Sequence, residues 1–302
     1  MSIKNLRVAV IGAGGIGGII SSLLARENAD ISIITSKKSA NLINKGGLTV
    51  RSEFFGDFTS FPKAKVTLDH AVDYVFFATK YPYLTKSFSR LNKTALGKPI
   101  FISLLNGLGS RELIIKTFGK NFITGMIGSI EVYRDENGII QQPNFQQPEL
   151  SLAQEDGVSA IELQNICDLI ETTGIKIIKY KSYQEVIWRK LVRLGAISSV
   201  TAGFQKSIGE IINSDFERNI LMGLIEEGSE IANACGVNVN SQSVKEEIFQ
   251  LPSGLKTSLS RDIIQNKESE LESITIAILN EAKKRSVSAP HYENILMIIK
   301  NE

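Results

Sequence analysis

The chain has few of the side chains that most often carry covalent or metal chemistry. Its 302 residues include two cysteines, Cys167 and Cys235, and two histidines, His70 and His291. Cysteines this few and this far apart exclude a disulfide framework and read as reduced core thiols. Neither histidine has neighbours at metal-ligand spacing or beside a candidate nucleophile. No Ser-centred elbow, Cys pair or carboxylate cluster stands in for them, so no metal site and no covalent catalysis is expected. Proton chemistry then falls to Lys, Glu or Asp. No apolar run approaches membrane-spanning length, and the chain enters a strand near its start with no cleavable leader, so a cytoplasmic protein is expected. Charge of neither sign dominates, with 34 Lys and Arg against 32 Asp and Glu. That balance argues against nucleic acid or a membrane surface as partner and favours a small neutral or anionic metabolite.

What the chain does have begins at its amino end. Residues 7–17 read RVAVIGAGGIG, a short apolar strand running into Gly12, Gly14 and Gly17 in the spacing G-x-G-x-x-G, followed by the amphipathic run Ile19 to Arg26. The first glycine permits a tight turn off the strand, the second lets a pyrophosphate approach the backbone, and the third lets the next helix pack on the sheet. Phosphates would rest on N–H groups at the positive end of that helix, within the stretch Gly12, Ala13, Gly14, Gly15, Ile16 and Gly17. In a chain with 24 glycines the bare spacing is weak evidence. The strand before it and the helix after it make it a dinucleotide site, the remaining reading being a glycine turn that binds nothing.

The second strand, Ile31 to Thr35, bears on which dinucleotide. A site for NAD usually ends this strand in an acid that bonds the ribose hydroxyls and repels a 2′-phosphate. Here it runs into Thr35, Ser36, Lys37 and Lys38, and Asp30 lies at the opposite end. Hydroxyls and ammoniums suit a phosphate, so NADP (NADPH) is the expected cofactor, with Ser36 and Lys37 as contacts. Two solvated lysines in a surface loop are the alternative.

Up to about Tyr180 apolar strands alternate with helical segments: Leu48 to Arg51, Tyr74 to Ala78, Ile100 to Leu104, Phe122 to Met126 and Ile175 to Lys179 follow the opening unit. Between Tyr133 and Leu152, a run with Asn137-Gly138 at a turn reads as a β-hairpin that widens the sheet. From Ser182 onward the periodicity is helical. The expected architecture is α/β, with an N-terminal Rossmann-type doubly wound sheet over residues 1–180 as the NADP-binding domain and a C-terminal all-helical domain over 181–302 for substrate and catalysis. The late apolar segments Ile274 to Leu279 and Ile295 to Ile299 suit either a core or a homodimer face, with core the default.

Several residues fall where such a fold binds ligands. Lys80 follows the strand YVFFA, and Asn106-Gly107 follows IFISLL; both are strand carboxyl ends, where the nicotinamide half of a dinucleotide belongs. A solvated lysine and an Asn-Gly turn residue explain them equally well. Ser182 and Glu185 read as a capping box opening a helix on which Glu185, Arg189 and Arg193 mark the solvent stripe. Lys190 is off that stripe, in the otherwise apolar row Val186, Lys190, Leu194 and Ile197, where a lysine either snorkels or points into a cavity that uses it. Ser269 and Glu272 form a second capping box, with Glu270 in the first turn of a helix running to about Arg285. The helix dipole alone accounts for Glu268, Glu270 and Glu272 equally.

Taken in order, the glycine fingerprint, FFATK, LLNGLG, WRKL and ESELE resemble the ketopantoate reductase (2-dehydropantoate 2-reductase) family over nearly the whole chain. The resemblance implies NADPH-dependent reduction of a 2-keto acid to a 2-hydroxy acid, namely ketopantoate to pantoate on the route to pantothenate. It further implies that Lys190 is the catalytic lysine that donates the proton, that Glu270 grips the substrate hydroxyl, and that Asn106 is the carboxamide beside the nicotinamide and substrate. By the same resemblance Lys80 lines the cofactor and substrate cleft, and Ser258 helps bind the substrate carboxylate. The pattern departs at Leu194 and Ser198, where family members carry asparagines, and near Thr275 and Ile276, which replace an Asn-Gly. Ser198 then faces the substrate with a hydroxyl and Leu194 with apolar surface. Three functions stay open: the named reductase, a paralogous reductase of another 2-oxo compound, and an NADP-binding sensor that has lost catalysis. A hydroxyacid or polyol-phosphate dehydrogenase of another family would need an Arg cluster in the helical half, and the sequence has no clear one.

Overall fold

The computed structural model describes residues 6–301. The outer ends of the two expected domains, residues 1–5 and 302, lie outside the described residues. The chain forms two compact units, one running up to Leu105 and resuming over Arg111–Tyr183, the other comprising Asn106–Ser110 and the chain from Gln184 onward.

Among the described residues, the first unit holds all the strands. They are β1 (Arg7–Ile11), β2 (Asp30–Ile34), β3 (Leu48–Ser52), β4 (Phe58–Ser60), β5 (Lys63–Lys65), β6 (Tyr74–Phe77), β7 (Ile100–Ser103), β8 (Phe122–Gly128), β9 (Tyr133–Arg134), β10 (Ile140–Gln142), β11 (Glu149–Ala153) and β12 (Lys176–Tyr180). Its helices are α1 (Gly15–Arg26), α2 (Lys37–Gly46), α3 (Leu84–Phe88), α4 (Ser110–Phe118) and α5 (Ala160–Glu171). The main sheet has the order β12-β11-β8-β7-β6-β1-β2-β5. From β5 to β8 neighbouring strands are parallel, while β11 runs antiparallel to β8 and carries β12 parallel to itself. From β1 the chain moves outward to β2 and later returns to β6 on the other side of β1, so the topological switch lies between β1 and β6.

Alternate residues of these strands feed two cores. Val8, Val10, Phe76, Ile102 and Ile123 pack with Ile19, Ile20, Leu23 and Leu24 of α1 and Ile166 of α5. Ala9, Ile11, Val75, Phe77 and Phe101 pack on the opposite face with Leu84 and Ile114. Because both faces are covered, the strands read as continuous apolar runs rather than alternating ones. Burial of each such large side chain contributes about 1.5–3 kcal/mol.

Two expectations about the sheet are corrected. The strand beginning at Leu48 does not join the main sheet, and the hairpin at Asn137-Gly138 does not widen it. Both belong to a second sheet of order β4-β3-β10-β9, in which β9 and β10 form the hairpin and β10 pairs parallel with β3. The second sheet packs on α1, where a Cβ on Gly18 would stand 2.4 Å from Cδ1 of Ile140. The main sheet is widened instead by β11 and β12. Local pattern identified the strands, but partner choice depended on which surface α1 left to cover.

The second unit is helical: α6 (Tyr183–Gly203), α7 (Ile208–Ile212), α8 (Asp215–Ala234), α9 (Ser241–Phe249), α10 (Ser258–Ile264), α11 (Ala277–Arg285) and α12 (Pro290–Asn301). The buried carboxylate of Glu227 on α8 caps α12. Its Oε1 accepts the His291 backbone N–H at 2.8 Å, and its Oε2 accepts that of Tyr292 at 3.0 Å. Of the two thiols, Cys167 is buried in the sheet core and Cys235 is half-buried at the end of α8. Among the described residues, no helix is long and apolar enough to cross a membrane.

The turn from β1 into α1 leaves no room at its third glycine. A Cβ on Gly17 would stand 2.0 Å from the Gly12 carbonyl oxygen, a backbone atom that cannot swing aside. Gly17→Ala is therefore expected to cost about 1–3 kcal/mol. The check is a urea midpoint that falls with the slope of the transition unchanged.

Candidate active site

The glycines of the first unit divide the work of the turn. Gly12 adopts φ +111°, a region in which side chains are strained, and a Cβ there would meet the Ala78 carbonyl oxygen at 2.8 Å. A Cβ on Gly15 would meet the Val132 carbonyl oxygen at 2.5 Å, so the hairpin strand β9 and the residue before it close that side of the turn. Gly14 alone among these has no protein atom within 4 Å of such a Cβ. It is exposed and stands at the N-cap of α1 with no side chain capping the helix. The first N–H groups of α1 thus point from a backbone that is closed on its protein sides and open at one, the arrangement a pyrophosphate requires. Ala13 is buried and Ile16 packs against the core. Just past β6, the buried Oγ1 of Thr79 has no hydrogen-bond partner, and its Cγ2 would lie 3.2 Å from a Cβ on Gly12. An orphaned hydroxyl beside an open glycine turn fits a dinucleotide.

At the end of β2 the expected surface loop is a helix start. Ser36 is the N-cap of α2 and accepts the Ser39 N–H at 3.2 Å, while Lys37 is the first helical residue. Ser36, Lys37 and Lys38 are all exposed. The two ammoniums therefore add to the positive end of a helix dipole, and no carboxylate occupies this strand end. Asp30 opens β2 at the far end, paired with Lys63 at 3.0 Å. Lys80, half-buried, leads into a short 3-10 turn over Tyr81–Tyr83.

In the second unit, three candidates from distant parts of the sequence meet. Lys190 on α6 donates from Nζ to Oδ1 of Asn106 at 2.8 Å, and Nδ2 of Asn106 reaches Oε2 of Glu270 at 3.4 Å. The Asn106 loop is held by its neighbours. Gly107 adopts φ +83° and lies so close to Ser273 that a Cβ would stand 2.0 Å from the Ser273 carbonyl oxygen, which accepts the Leu108 N–H at 2.8 Å.

That contact corrects the reading of ESELE. Ser269 and Glu272 do not cap an α-helix. The winding opens as a π turn over Glu272–Ile276, with Leu271 at the capping position and no side-chain cap, and α11 follows. The wide turn accommodates the docked Asn106 loop, and Glu270 stands just ahead of it, with its carbonyl accepting the Ile274 N–H at 3.0 Å. Glu268 and Glu272 are exposed and Glu270 is buried, so the helix dipole no longer accounts for all three alike.

Lys190 is half-buried. Loss of hydration pushes its ammonium down to about 8; the Arg193 guanidinium adds to the shift and Glu270 opposes it. A lysine so tuned can hold or release a proton near neutral pH.

The remaining candidates are placed differently. Ser198, two helical repeats beyond Lys190, is buried with its hydroxyl unpartnered, and Leu194 between them is half-buried. Ser258 is exposed in the first turn of α10. The buried hydroxyl there belongs to Thr257, which lies 3.1 Å from that of Thr201. Sequence reasoning missed Thr79 and the Ser273 carbonyl. Gly107 was in view, as half of an Asn-Gly pair, but a turn and a docking contact give the same signal.

Residues 8–154 match ketopantoate reductase PanE/ApbA, and residues 182–302 match the C-terminal region of the same family. The chain belongs to the ketopantoate reductase family. It is thus a member of a family of oxidoreductases. Among relatives, it is 23% identical to the uncharacterized oxidoreductase YkpB of Bacillus subtilis (strain 168), with 96% of each chain covered. In fold it is similar to 2-dehydropantoate 2-reductase from Geobacter metallireducens GS-15, at TM-score 0.89 and 21% identity, covering 98% of this chain and 99% of that one. It is also similar to D-mandelate dehydrogenase solved with NADH and anilino(oxo)acetate, at TM-score 0.85 and 19% identity, covering 98% of each. At such identities the two structures speak for the fold alone.

The lysine's environment can be measured directly. The Lys190 ammonium is expected to titrate near 8 rather than at the ordinary lysine value, read from the NMR signal of the isotopically methylated side chain. The unfolded chain keeps that proton until about 10.5. Between those values the unfolded state binds more protons, so wild type gains stability relative to Lys190→Met as pH rises from about 8 to 10.5. Gly107→Ala should push the Asn106 loop off Ser273, remove an acceptor from the charged lysine and lower its titration midpoint further; a midpoint unchanged by that substitution would contradict the arrangement.

Proposed function

We propose that this protein reduces a 2-keto acid to a 2-hydroxy acid with NADPH, and that ketopantoate is the first substrate to test. The observation that carries the proposal is the Lys190–Asn106–Glu270 chain of hydrogen bonds, with the lysine tuned toward neutral pH. With its pyrophosphate on the glycine turn, a bound reduced dinucleotide would supply the hydride that a carbonyl carbon takes up. Lys190 supplies the other half of the reaction. Its ammonium faces the negative charge that builds on the carbonyl oxygen and transfers a proton to it, leaving a neutral amine that regains a proton from water. Asn106 accepts from Nζ and so fixes where the remaining ammonium hydrogens point. Glu270 opposes the loss of the lysine's proton and offers a carboxylate to a substrate hydroxyl.

The preference for NADPH rests on Ser36, Lys37 and Lys38 at the start of α2 and on the absence of an acid at that strand end. Leu194 and the unpartnered hydroxyl of Ser198 favour a second reading of the substrate, as a 2-oxo acid with a bulkier or more apolar tail. We assign the reaction to the cytoplasm.

The test is turnover by the purified protein with NADPH and with NADH over a panel containing ketopantoate, branched aliphatic and aromatic 2-keto acids, followed by loss of nicotinamide absorbance. Turnover with NADPH is expected on at least one. Lys190→Met should lower kcat by roughly 10²–10⁴-fold with NADPH affinity unchanged. Tight NADPH binding with no turnover on any member would replace the reductase with a nucleotide-binding sensor.

A further inference from the structure

Arg134 lies in the second sheet, apart from Lys190, Asn106 and Glu270 in the sequence. It ends β9 in the hairpin that covers the glycine turn, and its guanidinium makes two hydrogen bonds, both to carbonyls. Nε donates to Gly138 O at 3.1 Å across the hairpin's own turn, and Nη1 donates to Ala13 O at 3.2 Å in the glycine turn. No carboxylate lies within ion-pair distance of it among the described residues. The adjacent Asp135 is engaged elsewhere, its Oδ1 accepting the Ile139 N–H at 2.9 Å and its Oδ2 accepting Gln141 Nε2 at 2.8 Å. Half-buried, the guanidinium is held below its ordinary pKa by burial, opposed only by Asp135. A poorly hydrated cation whose neighbouring carboxylate is tied to other donors is costly unless something anionic compensates it.

The Ala13 carbonyl belongs to the same planar peptide as the Gly14 N–H. Fixing the carbonyl fixes the direction of that N–H, and a cation on the oxygen polarises the peptide and strengthens the N–H as a donor. Gly14 is the open position of the turn. We infer that Arg134 is a positioning residue of the dinucleotide site, one that orients the Ala13–Gly14 peptide and supplies positive charge to the pyrophosphate. The inference rests on the dinucleotide reading above and adds to it a residue from the second sheet. Pyrophosphate is common to NADH and NADPH, so Arg134 acts on both alike, unlike Lys37 and Lys38, which bear on the 2′-phosphate.

The test is equilibrium binding to the intact protein of NADPH, NADH, ADP-ribose and 2′-AMP, the last lacking a pyrophosphate. Arg134→Gln is expected to weaken the first three by about tenfold or more, leave 2′-AMP within about twofold, and flatten the salt dependence of NADPH binding. Arg134→Lys keeps the charge without the two-carbonyl grip and should fall between wild type and Arg134→Gln. Unchanged NADPH affinity in Arg134→Gln, equal loss for 2′-AMP, or a lysine variant no better than the glutamine one overturns the role of Arg134. Failure of the wild type to bind any of the dinucleotides overturns the dinucleotide reading itself, and the inference with it.

Discussion

The carbonyl of Ser273 carries the geometry on which the candidate site depends. Asn106 follows β7 in sequence, yet its loop belongs to the helical unit, and what holds it there is the Leu108 N–H on that carbonyl and the side-chain-free approach of Gly107. Without this contact Asn106 has no reason to stand between a lysine 84 residues onward and a glutamate 164 residues onward. The partner that Lys190 meets is thus set by backbone packing at a neighbouring turn.

The glycine turn shows the same economy of parts. Its protein-facing positions are filled by other backbone: Ala78 against Gly12, Gly12 against Gly17, and Val132 against Gly15. Only Gly14 is left facing out. The small second sheet serves here as a wall for the glycine turn as well as a lid on α1, and it brings a guanidinium to the Ala13 carbonyl.

Much of this was legible in the sequence, and the part that was not shares one cause. Strands buried on both faces announce themselves as apolar runs, and the strand-glycine-helix order at the amino end identifies the first turn without help from the rest. The apolar row around Lys190 marked it as a lysine off the solvent stripe, and it is half-buried. Partner choice was not legible: β3 and the hairpin read correctly as strands and were assigned to the wrong sheet, because local pattern does not encode which surface is left to cover. Nor did the capping signal at Ser269 and Glu272 survive, since docking of the Gly107 loop outweighs a terminal cap on an exposed segment. Ser258 and Thr257 differ by one residue in sequence and by burial in the fold, a distinction no composition argument makes. Arg134 left no local trace at all, as its significance lies in reaching Ala13 from 121 residues away.

The π turn also has a bearing on phase. An α-helix advances roughly 100° per residue, and a turn that takes in one more residue per circuit resets that count for everything after it. Ile278, Leu279 and Ala282, which point α11 into its core, are therefore registered to the far side of the widening and not to Glu270. Losing one residue between 272 and 276 would restore ordinary winding and force a choice. Either the core stripe of α11 stays in place and the carboxylate swings around the axis, or the carboxylate stays and the stripe turns toward water. These five positions act as a fixed gear tooth between the acid and the packing that supports it.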